Sequence, residues 1–219
     1  IIKEISVPEQ KYKEKLNPVG NIDTNRIKNA DNEPGNWLSH GRNYEEQRYS
    51  KLNQITQETI KDLELEWSFN MASSRGLEAT PIVDNGIMFV TGTWSVIYAI
   101  DARTGKEIWT YDPGVPRSWA RKLCCDVVNR GAAVWKGSVF FGTLDGRLIK
   151  LDAKTGELIW EKDTLINSEK DYSISGAPRI AKDKIFIGNG GADMGGVRGY
   201  VSAYDTKTGK LLWRFYTVP

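Results

Sequence analysis

The chain has 219 residues and carries 30 Lys and Arg against 28 Asp and Glu, so it is nearly neutral. Its basic residues are spread rather than clustered, which argues against a nucleic-acid partner. No stretch approaches the roughly 18 apolar residues of a membrane helix, and the unusual quantities, 21 Gly and 8 Trp, point to a turn-rich all-β fold.

No secretory signal is visible at Ile1; a mature form would have lost one, so its absence does not mean cytoplasm. The Lys-rich start, Lys11-Tyr12-Lys13-Glu14-Lys15, alternates with an acid and reads as a solvated arm. Residues 1–50 show little periodicity and are expected to form an N-terminal arm and lead-in, with 51–219 forming the N-terminal part of a β-propeller. Thr56 to Leu63 reads as a short helix, because Thr56 suits a cap and Ile60 and Leu63 share a face. Leu63 to Phe69 then alternates like a strand around Trp67, and is expected to be the outer strand of a blade completed elsewhere in the chain.

One pattern recurs three times. Asp101, Asp152 and Asp205 each open D-x-x-T-G-x-x-x-W, closing on Trp109, Trp160 and Trp213. The position two before the aspartate is Ala99 or Ala203 in two copies and Lys150 in the middle one. Asp and Thr side chains bond turn backbone, Gly supplies a positive φ, and the indole is a large apolar group with one polar handle. A period of about 50 residues lies in the range of propellers and solenoids. Four strands are expected in each period: near Ala79–Val83, Ile87–Thr91, Val96–Asp101 and Glu107–Tyr111; near Val127–Val134, Val139–Thr143, Arg147–Asp152 and Leu158–Glu161; and near Ser173–Ala181, Ile185–Gly188, Tyr200–Asp205 and Leu211–Tyr216. Four strands per period make a propeller blade. Three blades do not close a ring, so the sequence reads as the N-terminal portion of a longer protein.

Cys124 and Cys125, the only cysteines, are adjacent. Bridged to each other they would form an eight-atom ring with α-carbons about 3.8 Å apart, shorter than in ordinary disulfides, and would remove little entropy from the unfolded chain. Chemistry alone leaves two readings open: a local functional disulfide, or a small apolar step in a strand. A two-cysteine metal site fits poorly, because adjacent thiolates bite badly and His40 is the only histidine.

These segments together are specific. The run Cys124-Cys125-Asp126-Val127-Val128-Asn129-Arg130-Gly131, with Asn36-Trp37, Gly41-Arg42-Asn43-Tyr44, Gln47-Arg48-Tyr49-Ser50, Glu78-Ala79-Thr80-Pro81, Val197-Arg198-Gly199-Tyr200 and the tryptophan repeats, resembles the N-terminal portion of the quinoprotein alcohol dehydrogenases. This is the methanol/ethanol family that uses pyrroloquinoline quinone (PQQ), and the resemblance covers Trp37 to Pro219. It implies an eight-bladed propeller, PQQ and a metal ion near its axis, and a disulfide between Cys124 and Cys125 against one face of the quinone. It further implies that Glu78 touches the cofactor's polar edge, Arg130 holds a PQQ carboxylate, Ser175 hydrogen-bonds the cofactor, and Gly191 and Ala192 let backbone approach it.

Asp193 stands where the family has a glutamate metal ligand, on a loop one residue longer, and the expected ion is Ca²⁺, with a lanthanide as the alternative. The implied function is periplasmic oxidation of a primary alcohol to an aldehyde, with electrons passed to cytochrome c or another acceptor. The catalytic base is expected beyond Pro219, so this chain alone should be inactive. The competing reading is a non-enzymatic tryptophan-repeat propeller serving as an assembly scaffold or ligand sensor. Such a protein needs the repeat but neither adjacent cysteines nor Arg130.

Overall fold

The computed structural model describes residues 19–192 and 196–218. The Lys11–Lys15 segment, Asp193 and the two residues after it lie outside the described residues, as does Pro219. Among the described residues, three four-stranded antiparallel sheets follow one another along the chain. The first contains β1 (Ile82–Asp84), β2 (Ile87–Thr91), β3 (Ile97–Asp101) and β4 (Glu107–Tyr111). The second contains β5 (Ala133–Trp135), β6 (Ser138–Gly142), β7 (Arg147–Asp152) and β8 (Leu158–Asp163). The third contains β9 (Arg179–Ala181), β10 (Lys184–Gly188), β11 (Tyr200–Asp205) and β12 (Leu211–Tyr216). Each sheet runs in sequence order, the up-and-down topology of a propeller blade. One continuous core unites them, with Phe89, Phe140, Phe141, Ile149 and Ile185 from all three sheets.

The repeat explains how blades join. In each turn the aspartate Oδ1 accepts from the backbone N–H groups two and three residues on: Arg103 and Thr104, Lys154 and Thr155, Lys207 and Thr208. Each turn then closes on a left-handed glycine, and its missing side chain matters twice. A Cβ on Gly105 would stand 2.7 Å from the Trp67 ring, and one on Gly156 would stand 2.7 Å from the Trp109 ring. The indole of one blade lies flat on the turn of the next. Its Nε1–H donates there to a carbonyl: Trp67 to Ala102 at 3.1 Å, Trp109 to Ala153 at 3.1 Å and Trp160 to Lys207 at 3.2 Å. Trp213, at the same register in β12, is 44% exposed. A bulge falls just before the aspartate in all three copies, between Ala99 and Ile100, Lys150 and Leu151, and Ala203 and Tyr204. Lys150, where the other copies have alanine, reaches across to the Thr206 carbonyl at 3.1 Å.

Two expectations fail in the segment before the blades. Thr56 to Leu63 forms only one 3₁₀ turn, Ile60–Asp62, because Ile60 and Leu63 find nothing to bury against and an isolated helix this short is unstable. Leu63 to Phe69 is not a strand, since no described strand lies beside it to complete a ladder, and Leu65 is 83% exposed. Trp67 nevertheless docks like the repeat tryptophans. The inner strands are also shorter than expected: β1, β5 and β9 have three residues each, and the chain before each forms no ladder.

Residues 19–46 pack onto the blades. Ile22, Ile27, Ala30 and Leu38 join the core, and Trp37 pairs in antiparallel fashion with Val83 on β1. The helix α1 (Thr24–Lys28) is capped by Asp23, whose carboxylate accepts from the Arg26 N–H. Asp84, fully buried, accepts from Gly20 N–H and Arg26 Nη2, both at 2.9 Å. Replacing Asp84 with Asn weakens two charge-assisted bonds, and the expected cost is about 2 kcal/mol, read as a lower thermal midpoint and earlier proteolytic release of the arm.

Arg26 also holds the Glu33 carboxyl below its ordinary range, and Arg179 does the same to Glu46. With folded values depressed, this stabilisation is complete above the ordinary carboxylate value of 4.5 and is lost as pH falls through the lower folded values. Thermal midpoints measured from neutral pH downward should therefore fall in acid, and Glu33→Gln should flatten that limb.

Candidate functional site

The approaches to the three inner strands come together at one end of the sheets. Glu78, Arg130 and Ser175 stand three or four residues before β1, β5 and β9 respectively, so successive blades place them at equivalent positions. Backbone hydrogen bonds tie these approaches side by side. Thr80 N–H donates to the Arg130 carbonyl at 3.2 Å, and Arg130 N–H donates to the Ser175 carbonyl at 2.8 Å. Gly131 bridges Thr80 in parallel register with φ +132, and a Cβ there would lie 3.0 Å from the Thr80 oxygen. Glycine is required for that approach.

Side chains converge the same way. Arg130 Nη1 donates to Ser175 Oγ at 2.7 Å, and Nη2 pairs with Glu78 Oε2 at 2.8 Å. The guanidinium has five N–H groups in a planar fork, so these two contacts leave donors free for a further acceptor. Arg130, Ser175, Gly176, Ala177 and the Gly188–Gly190 run line a cleft of about 280 Å³. Cationic and hydroxyl donors beside side-chain-free backbone suit a flat, carboxylate-bearing molecule. A separate hollow of about 200 Å³ lies between the arm, β5 and β9, but its lining is mostly apolar and its Arg179 is already matched by Glu46.

Cys124 and Cys125 occupy a bend after the 3₁₀ turn Arg117–Lys122, and both are exposed. Leu123 beside them packs with Trp94, Trp119, Val127 and Leu144, and Trp94 N–H bonds the Val127 carbonyl at 2.9 Å. Asp126, with φ 66, pairs with Arg75. The disulfide that the resemblance implies is not formed in this structure. Closing it requires distorting the peptide between the two residues, whose α-carbons are nearer than in ordinary disulfides.

Gly191 is buried with φ +109, and a Cβ on it would meet the Asp171 carbonyl at 2.3 Å, while Ala192 is exposed. The backbone that lines the cleft is the preceding Gly188-Asn189-Gly190 run, whose glycines were the available signal in the sequence. Asp193 lies outside the described residues, and among these no group of three His, Cys, Asp or Glu side chains is placed to hold a metal ion. The Arg130 and Ser175 donor set fits an organic carboxylate.

The family model described as "PQQ: Glucose/ethanol/alcohol dehydrogenase, beta-propeller domain" matches residues 37–219. The quinohemoprotein alcohol dehydrogenase ADH-IIG of Pseudomonas putida is 57% identical over 199 residues, covering 91% of this chain and 28% of the relative. Its solved structure superimposes with a TM-score of 0.90 at 56% identity, covering 93% of this chain and 30% of that one. The 1-butanol dehydrogenase (cytochrome c) of Thauera butanivorans is 57% identical over 171 residues, covering 78% of this chain and 25% of the relative. A europium-containing methanol dehydrogenase structure matches with a TM-score of 0.82 at 38% identity, covering 88% of this chain and 34% of that one. The chain thus spans under a third of the curated relatives it matches.

Proposed function

Because the chain belongs to the PQQ-dependent glucose/ethanol/alcohol dehydrogenase β-propeller family, we propose that it is the N-terminal part of a periplasmic quinoprotein that oxidises a primary alcohol to an aldehyde. The observation that carries this reading is that Arg130 and Ser175, from successive blades, meet on one cleft, with Glu78 from the blade before pairing with the Arg130 guanidinium. When bound, PQQ supplies the hydride-accepting chemistry for alcohol oxidation. Arg130 binds a carboxylate of the cofactor through its remaining N–H groups, and Ser175 and Glu78 hold the guanidinium at the angle this needs. The Gly188–Gly190 run leaves the cleft wall open to a flat ring.

By the family resemblance, Cys124 and Cys125, both exposed, would join in a disulfide against one face of the cofactor, and Gly191 and Ala192 would let backbone approach it. An oxidising compartment such as the periplasm maintains that bond. By the family resemblance, Asp193 would supply an oxygen ligand to the metal. Calcium accepts six to eight such ligands in flexible geometry, and the europium-containing relative makes a lanthanide the alternative. By the family resemblance, the general base that takes the hydroxyl proton would come from the part of the relatives that this chain does not span. Electrons then pass to an acceptor such as cytochrome c, as the name of the Thauera relative suggests. Among the described residues no helix is long and apolar enough to cross a membrane.

The full-length protein supplied with PQQ and Ca²⁺ should show a bound-quinone absorption band and dye-linked oxidation of a primary alcohol. A protein that takes up no quinone would contradict the assignment.

A further inference from the structure

Arg130 is flanked by a residue that the proposed chemistry does not use. Asn129 is 1% exposed, and its side chain is fully engaged. Nδ2 donates to the Gly142 carbonyl at 2.8 Å and to Ser95 Oγ at 3.1 Å, while Oδ1 accepts from Gly131 N–H at 3.1 Å. These partners fix which end of the amide is which. A carbonyl demands the NH₂ group, and a backbone N–H demands the oxygen. The Asn129 carbonyl in turn accepts from Thr91 Oγ1 at 3.3 Å.

The partners belong to two blades. Thr91 ends β2 and Ser95 lies in the turn that follows it, held at φ 60; Gly142 ends β6. Ser95 Oγ also accepts from Leu144 N–H at 3.1 Å, closing a network between the first and second blades. One buried amide thereby clamps the backbone on both sides of Arg130, through its own peptide and through Gly131. Arg130's own peptide is held by Thr80 and Ser175. Of the Asn129-Arg130-Gly131 run, only the Arg130 side chain is left to reach into the cleft.

We infer that Asn129 is a positioning residue for cofactor binding: it sets the direction in which Arg130 presents its guanidinium, and it touches the cofactor only through Arg130. This inference rests on the reading that Arg130 holds a PQQ carboxylate. Asn129→Asp is the sharpest probe, because it keeps shape and the Gly131 contact while turning an oxygen toward the Gly142 carbonyl. A buried polar group forced against a like partner moves its surroundings or takes up a proton, and either event disturbs the clamp.

The experiment is a PQQ titration of the full-length apoprotein, followed by quinone absorbance, for wild type, N129D, R130A and the double variant, with thermal midpoints recorded alongside. N129D should weaken PQQ binding about tenfold when Arg130 is present and less than about twofold on the R130A background. Equal losses on both backgrounds, or no loss on the first, would overturn the inference while leaving the role of Arg130 intact. If R130A alone leaves PQQ affinity unchanged, the cofactor reading fails and the positioning role fails with it. Should N129D not fold, Ser95→Ala removes one of the three side-chain contacts. It should show the same dependence on Arg130 with a smaller loss, and its absence would count equally against the inference.

Discussion

Replacing Arg130 with alanine in the full-length protein should weaken PQQ binding by about ten- to a hundred-fold, the range that follows from losing hydrogen bonds to a charged group worth about 1.5–3 kcal/mol. The lower half of that range is expected, because the Arg130 side chain is 37% exposed in this chain and solvent screens part of the interaction. Arg130→Lys should recover little. A lysine ammonium is a single point charge, and it does not span Ser175 and Glu78 while also offering two N–H groups to a planar carboxylate. Equilibrium titration of the apoprotein with PQQ separates this loss from any effect on turnover. A lysine variant with wild-type affinity would show that only charge, and not the fork, is used.

The second large effect concerns the blades themselves. Trp109→Ala should cost about 3–5 kcal/mol, because it removes a buried indole and leaves a cavity between the first and second sheets. The same substitution leaves the Ala153 carbonyl without the donor it has at 3.1 Å. Gly156→Ala should destabilise for the complementary reason, since its Cβ would press on the Trp109 ring at 2.7 Å from a backbone held at φ +75. The two changes should not add: once the indole is gone, the alanine pays only for its left-handed backbone, about 1 kcal/mol. Denaturant midpoints for the two single variants and the double variant test this directly. Simple additivity would mean that the glycine is not there to admit the indole.

The repeat was the most legible part of the sequence, because everything in D-x-x-T-G-x-x-x-W is local. The aspartate bonds the turn three residues on, the glycine follows, and only the indole acts at a distance. Strand positions within blades followed from the same alternation. The inner strands were overextended because β-rich composition marks an extended chain, whereas a ladder also requires a partner. Residues near 127–132 and 173–178 form no ladder and bond across blades at single points. These irregular stretches carry the candidate site. Arg130 and Ser175 were legible through the family resemblance, and the structure brings them to 2.7 Å of each other.

Asn129 was not legible as a clamp. Its partners Ser95 and Gly142 lie far away in sequence, and nothing in an isolated asparagine distinguishes a buried bridge from a surface turn. The same holds for Asp84, whose role depends on the arm that folds back over β1. The Thr56–Leu63 helix fails for the opposite reason: its local signals were adequate, but helical turns without a buried face are not sustained.

The position of the cofactor's carboxylates decides whether Arg130 is the binding residue. A crystal structure of the full-length protein with PQQ should place a carboxylate of the cofactor within about 2.7–2.9 Å of an Arg130 Nη, with Ser175 Oγ still against the guanidinium. PQQ bound at another place on the propeller, or bound with Arg130 turned away from it, would contradict the site proposed for this chain.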